Sequence, residues 1–214
     1  VVGHIRRSTE HLLQVVNDIL DFSQLQAGKL RLNRVDFALQ TLQDDLQHRH
    51  HTKAQNKGLA LSIERGTDLP YRVHGDPNRL LQILNNLVDN AINYTPSSTA
   101  KPGVVTARVL PQADGQSVWL QVEDSGPGIA PGEHELVFQP FYRALGNEAD
   151  GSGLGLPIVK KIIEEHGGSL VLTDAPVFEG NSHAGAMAEI RLPHATRAKS
   201  IAGRSQAQPI AGDA

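Results

Sequence analysis

Asp76-Pro-Asn-Arg-Leu-Leu-Gln-Ile-Leu-Asn-Asn-Leu-Val-Asp-Asn-Ala-Ile-Asn-Tyr94 reads as one helix with two unlike faces. Pro77 suits a first helical turn and Asp76 can cap it. Leu80, Leu84, Leu87, Val88 and Ala91 recur at helical spacing, so one face belongs to a core. The other face carries Gln82, Asn86, Asp89, Asn90 and Asn93 at i, i+4, i+7, i+8 and i+11. An ordinary solvated face would carry Lys and Glu instead. Asn inside a helix costs roughly 0.5 kcal/mol relative to Ala, and three on one stripe suggest a bound ligand. An Asn carbonyl is a neutral oxygen ligand for Mg²⁺, and neighbouring amides can donate to phosphate oxygens. From this helix alone, a polar face that happens to be rich in Asn fits equally well.

The remaining composition narrows the class. A chain of 214 residues with formal charge −3 can bury a full core in one or two domains. Its Lys and Arg are scattered, which disfavours nucleic acid and a membrane-seeking basic helix. There is no Cys, hence no disulfide, thiol nucleophile or Cys-ligated zinc. The apolar runs are too short to span a bilayer and the start lacks a signal-peptide layout, so this piece is expected to be soluble.

Outward from the Asn-rich helix, the pattern mixes strands with helices. Val1 to Ala27 reads as a long helix with heptad-like spacing of Ile5, Leu12, Val16 and Ile19, stopped by Gly28. A helical stripe of this kind wants a partner, and the segment reads as the second half of a helical hairpin. Leu30 to Phe37 suggests a strand, and Leu39, Leu42 and Leu46 open a helix that reaches Lys57. Leu59 to Ile63 and Tyr71 to Val73 are further strands. Val104 to Leu110 and Val118 to Glu123 make a hairpin, Leu156 to His166 a helix, and Ser169 to Thr173 and Ala186 to Leu192 the last strands. The expected fold is α+β, a two-layer α/β sandwich. Its expected parts are a helix over 1–28, a folded domain over 29–193 and a linker or disordered tail over 194–214.

Three segments between Asp124 and Leu156 carry the remaining chemistry. Asp124-Ser-Gly126-Pro-Gly128-Ile puts a carboxylate at a strand end, followed by glycines that let backbone approach a flat ligand; a capped turn would read alike. Phe138-Gln-Pro-Phe141-Tyr-Arg143 anchors an arginine whose fork can meet phosphate. Gly151-Ser-Gly153-Leu154-Gly155-Leu runs into a helix whose N-terminal amides favour phosphate. It lacks both the Lys-Ser/Thr ending of a P-loop and the spacing of a dinucleotide fold.

Taken in order, these four segments resemble the ATP-binding domain of sensor histidine kinases, in the GHKL (Bergerat-fold) superfamily, from Val1 to about Pro193. The opening helix is similar to the second helix of that family's dimerisation and phosphotransfer hairpin. The resemblance implies that Asn90 binds Mg²⁺, that Asn86 serves the phosphate and metal region, and that Asn93 lies beside it. It implies that Tyr94 lies near adenosine and that Asp124 reads adenine, with Gly126 and Gly128 lining that pocket. Arg143 would point at phosphate. Gly151, Gly153, Leu154 and Gly155 would form the phosphate floor, and residues 144–152 the lid over the nucleotide.

The implied cofactors are ATP and Mg²⁺. The implied partners are ATP or ADP, a second copy through the hairpin helices, and a response regulator or receiver domain. Membrane attachment would come only through regions outside these residues, in an otherwise cytoplasmic protein.

Departures from the family pattern bear on activity. Asn93 stands where Lys is common, and Gly185-Ala186 where Ser or Thr often follows the glycine. The acceptor-histidine box is absent. His134-Glu-Leu imitates its start inside a turn, and His4 and His11 lack an acidic-Leu pair. His48, His50 and His51 read as a polar helix face more readily than as a metal site. Two other functions stay open: an ATP-hydrolysing member of the superfamily, which would need Glu at position 86 to activate water, and a non-catalytic nucleotide-sensing module.

Overall fold

The computed structural model describes residues 2–28, 31–65, 72–111, 117–143, 152–178, 184–193 and 195–196. Helix α1 spans Val2–Gln26, and strand β1 (Val35–Ala38) leads into α2 (Leu39–Lys57). Strands β2 (Ala60–Arg65) and β3 (Arg72–Gly75) precede α3 (Pro77–Tyr94). Strands β4 (Val104–Pro111) and β5 (Ser117–Asp124) form the hairpin, and two short 3₁₀ turns follow at Pro131–Glu133 and Leu136–Phe138. Helix α4 (Gly155–Glu165) and strands β6 (Ser169–Asp174), β7 (Ala186–Pro193) and β8 (Ala195–Thr196) complete the chain.

The main sheet has the order β2-β4-β5-β7-β6, with β2 parallel to β4 and the other pairs antiparallel. Strict alternation sends Val105, Ala107 and Val109 of β4, Val118, Leu120 and Val122 of β5, and Ala188, Ile190 and Leu192 of β7 into the core. Against them lie Leu42 and Leu46 of α2, Leu84, Leu87 and Val88 of α3, and Ile158, Val159 and Ile162 of α4, all in one apolar cluster. This is the expected two-layer α/β sandwich. Its outer sheet face is polar, with Arg108 of β4 bridging Glu64 of β2 at 2.7 Å and Glu123 of β5 at 2.7 Å.

The expected strand Leu30 to Phe37 is shortened to Val35–Ala38 and shifted by one residue at its end. The reason is its partner: β1 pairs with β3 from Val35↔Gly75 to Ala38↔Arg72, and beyond Gly75 the chain turns into α3. Upstream, the Asn33 amide donates to Asp76 Oδ2 at 2.9 Å, a capping carboxylate standing in for a strand. The expected tail begins with structure, since Ala195 and Thr196 pair with Val73 and Arg72. Such a pairing needs only backbone groups, so composition carries no sign of it. Residues 197–214 lie outside the described residues.

Helix α1 joins the core through Leu25, whereas Leu12, Leu13, Val16, Ile19 and Leu20 are 44 to 64% exposed. Among the described residues, no helix is long and apolar enough to cross a membrane. The histidines of α2 differ from a plain polar face. His48 and His51 are exposed, but His50 is buried and meets Asn85 Oδ1 at 2.9 Å, facing Asp89 of α3. Burial pushes the His50 pKa down, so the imidazole is a neutral link between two helices.

Candidate nucleotide site

Helix α3 supplies the first wall. Asp76 caps it as its position suggests, with Oδ1 accepting from Asn78 N at 3.1 Å and Arg79 N at 3.2 Å. Tertiary contacts then divide the amide stripe. Gln82 donates to Asp21 of α1 at 2.7 Å, and Asp89 accepts from Lys53 of α2 at 2.5 Å. Asn86 turns towards the glycine segment: a Cβ placed on Gly155 would stand 3.8 Å from Asn86 Cγ. Its Nδ2 is buried without a hydrogen-bond partner, and a buried amide left unpaired costs about 1 to 3 kcal/mol. Asn90 is half-buried and its side chain makes no hydrogen bond among the described residues. Asn93 is half-buried, and Lys57 Nζ donates to the carbonyls of Ile92 and Asn93 at 2.6 Å, closing the end of α3.

The end of β5 supplies the second wall. Asp124 is 8% exposed, and its Oδ1 accepts from Gly126 N at 2.8 Å and Ala186 N at 3.4 Å. Both bonds use one oxygen, which leaves Oδ2 for a ligand's donor. Burial outweighs these two bonds and lifts the Asp124 pKa to about 6, with the Glu123 charge adding to the rise. The backbone is packed tightly here. A Cβ on Gly185 would lie 1.7 Å from the Asp124 carbonyl oxygen, and one on Gly126 would lie 2.7 Å from Oδ1. Gly126 also abuts the Tyr94 carbonyl and Thr95, whose Oγ1 is buried without a partner. Gly128 continues this wall against the Ala184 carbonyl.

The aromatic and glycine segments interlock to form the third wall. Phe141 N donates to Gly153 O at 3.0 Å, and both residues have positive φ, 65° and 70°. A Cβ at Gly153 would meet Phe141 Cα at 2.8 Å, so glycine is required there for space as well as for φ. Phe138 lies under Lys160 of α4 at 5.3 Å, and Arg143 is exposed at the end of this segment. Leu154 is fully buried in the core, so only its backbone can serve a ligand. Its amide donates to Ser152 Oγ at 3.2 Å, and no side chain caps the first amides of α4. Gly151 and most of the expected lid, residues 144–151, lie outside the described residues.

The chain therefore brings the N-terminal half of α4, the Asn86 side of α3 and the end of β5 to one edge of the sandwich. There Asn86 stands against Gly155, Asp124 and the Tyr94 carbonyl stand against Gly126, and Gly153 stands against Phe141. Sequence reasoning passed over Gly185 and the Ala186 amide as parts of the Asp124 pocket, and also Thr95. The crowding at Gly185 comes from a strand far away in sequence, and only the Gly-Ala pair before β7 hinted at it. The donor set also suits Mg²⁺. No group of three His, Cys, Asp or Glu gathers among the described residues, whereas Asn90 offers an unpaired oxygen. His134 is a turn residue whose Nε2 meets the Ile129 carbonyl at 3.0 Å. The side chains of His4 and His11 lie outside the described residues.

Known proteins share this chain's sequence and fold. Residues 75–196, from the end of β3 to β8, match the family described as histidine kinase-, DNA gyrase B-, and HSP90-like ATPase. The chain is 37% identical over 175 residues to the signal transduction histidine-protein kinase BarA of Escherichia coli K12, covering 80% of this chain and 19% of that protein. It is 36% identical over 181 residues to the sensor protein GacS of Pseudomonas syringae, covering 82% of this chain and 19% of that protein. The chain thus spans about a fifth of the length of these relatives.

Among solved structures, full-length ShkA in complex with AMPPNP superposes with a TM-score of 0.75 at 30% identity, covering 92% of this chain and 39% of that one. The mycobacterial sensor histidine kinase MprB gives 0.62 at 30% identity, with 75% and 97% covered. The buried carboxylate at the end of β5, the glycine segment opening α4 and four of the five strands of the main sheet fall within residues 75–196, and the chain belongs to the family of histidine kinase-, DNA gyrase B- and HSP90-like ATPases.

Proposed function

We propose that this chain is the ATP-binding catalytic core of a sensor histidine kinase that transfers the ATP γ-phosphoryl to a histidine for signalling to a response regulator. The observation that carries the reading is Asp124: a buried carboxylate with one oxygen fixed by two backbone amides and the other open to a donor, the recognition element an adenine amine requires. In this reading Tyr94, Gly126 and Gly128 line the adenosine pocket. The α4 amides and Arg143 meet phosphate, and Asn86 donates its orphaned amide there. Asn90 would hold Mg²⁺, which when bound supplies charge neutralisation on the phosphates. The domain positions and polarises, and the attacking imidazole comes from elsewhere, because none of the ten histidines has the acceptor context. Pairing through α1 with a second copy and anchoring of the parent at the cytoplasmic side of a membrane belong to the same proposal. So does the division into a helix over 1–28, a catalytic domain from 29 and a linker at the end.

Hydrolysis as the primary activity is disfavoured by Asn86, whose amide cannot take a proton from water. Calorimetry with ATP and GTP tests the assignment. ATP should bind more tightly than GTP, and Asp124→Asn should weaken ATP binding about tenfold, in line with loss of a charge-assisted hydrogen bond. Equal affinities for the two nucleotides, or an unaltered one in a folded Asp124→Asn protein, would remove Asp124 from the pocket.

A further inference from the structure

Two acidic residues of α1 tie it to the rest of the domain, one on α3 and one on the glycine segment. Asp21 accepts from Arg79 Nη1 at 3.1 Å and from Gln82 Nε2 at 2.7 Å, both on the first turns of α3. Three residues earlier, Asp18 Oδ2 accepts from Ser152 Oγ at 2.7 Å. Positions i and i+3 lie on one helix face, so a single face of α1 holds α3 and the glycine segment together. Ser152 Oγ also accepts from Leu154 N at 3.2 Å. While α1 is docked, this amide and this hydroxyl are closed on one another and on a carboxylate, at the entrance to α4 where phosphate oxygens would need them.

We infer that Asp18 and Ser152 form a latch through which docked α1 lowers the affinity of the site for a nucleoside triphosphate, so that the nucleotide and docked α1 displace one another. The inference rests on the nucleotide reading above. A triphosphate seated on the α4 amides places several negative charges close to the Asp18 carboxylate, and it competes for Ser152 Oγ–H and Leu154 N–H. Asp21 lies on Arg79 and Gln82, outside the glycine segment, and sets the register of α1. Because the coupling is one of equilibrium binding, it runs both ways: nucleotide loosens α1, and freeing α1 tightens nucleotide.

Asp18→Asn isolates the charge, since Asn can still accept from Ser152, and Asp18→Ala removes both charge and bond. Asp36→Asn, on the exposed β1 strand, is the matched charge control. The full chain is titrated calorimetrically with ATP and Mg²⁺. ATP should bind about fivefold or more tightly in both Asp18 variants, as a typical coupling between sites implies, and unchanged in Asp36→Asn.

The chain has no Cys, so spin labels at Asn17→Cys and Lys161→Cys, both exposed, report the separation of α1 from α4. ATP should lengthen or broaden that distance in the parent, and Asp18→Ala should do so without ATP. Parent-like or weaker affinity in both Asp18 variants would overturn the latch, as would equal tightening by Asp36→Asn. A parent that binds no ATP at all would instead overturn the nucleotide reading beneath it.

Discussion

At the scale of single residues, Asp124 works against stability. Its folded pKa is about 6, above the ordinary carboxylate value of 3.8, so the native state holds a proton that the unfolded chain has already released. Stability therefore falls as pH rises from about 4 through 6, by about 3 kcal/mol in total when the shift is converted at 1.36 kcal/mol per unit. Urea denaturation of parent and Asp124→Asn across this range should give a difference that grows with pH and levels off near 7. A flat difference would mean that Asp124 has the same pKa in the folded and unfolded chain. A donor at Oδ2 favours the carboxylate, so nucleotide and a raised pKa oppose each other. Asn90 gives a second test at this scale. Asn90→Ala should abolish most of the Mg²⁺ dependence of ATP affinity and leave the fold intact, because Asn90 lies outside the Leu80, Leu84 and Leu87 core face. Titrations with and without Mg²⁺ would disprove this if their ratio stayed at the parent value.

At the scale of elements, α3 depends on one carboxylate for its beginning. Asp76 caps the helix, accepts from Asn33 N, and donates through its own backbone amide to His166 Nε2 at 3.5 Å. The His166 Nδ1 proton goes to the Ile162 carbonyl at 2.8 Å, and burial lowers its pKa, which keeps the ring neutral. Asp76→Ala should cost about 1 to 2 kcal/mol for the cap alone. The lost Asn33 bond adds to this and loosens the strand entry. Chemical denaturation measures the sum, and Asp76→Asn should recover part of it because Asn also caps. The shortness of β1 has the same origin, for the side chain that starts α3 also ends the pairing.

At the scale of the whole molecule, the proposed function has the domain supply donors to ATP while a histidine outside residues 1–214 supplies the nucleophile. Phosphoryl transfer needs an acceptor in line with the γ-phosphate. Residues 1–214 alone should therefore bind ATP, form no acid-labile phosphohistidine and release phosphate slowly. Incubation with γ-labelled ATP checks this: label on the chain would identify one of its own histidines as acceptor, and rapid phosphate release would point to an ATPase.

Periodicity and turn chemistry were enough to read the helices α1 to α4, the hairpin β4-β5 and the two-layer α/β arrangement. Each follows from local spacing: alternation on strands, 3.6-residue recurrence on helices, and Pro, Asp and Gly at their ends. The order of the four segments carried the resemblance to an ATP-binding domain for the same reason, since each segment is a short local pattern. Long-range contacts decided the rest. The stripe on α3 looked uniform, but α1 takes Gln82, α2 takes Asp89, and the Asn86 Nδ2 is left buried without a partner. Which polar group stays unpaired depends on what packs opposite it, and period cannot tell that. Gly185 against the Asp124 carbonyl, β8 beside β3, and Asp18 on Ser152 are likewise encounters between segments distant in sequence. Their residue types look ordinary in isolation, and only the folded chain brings them within bonding distance.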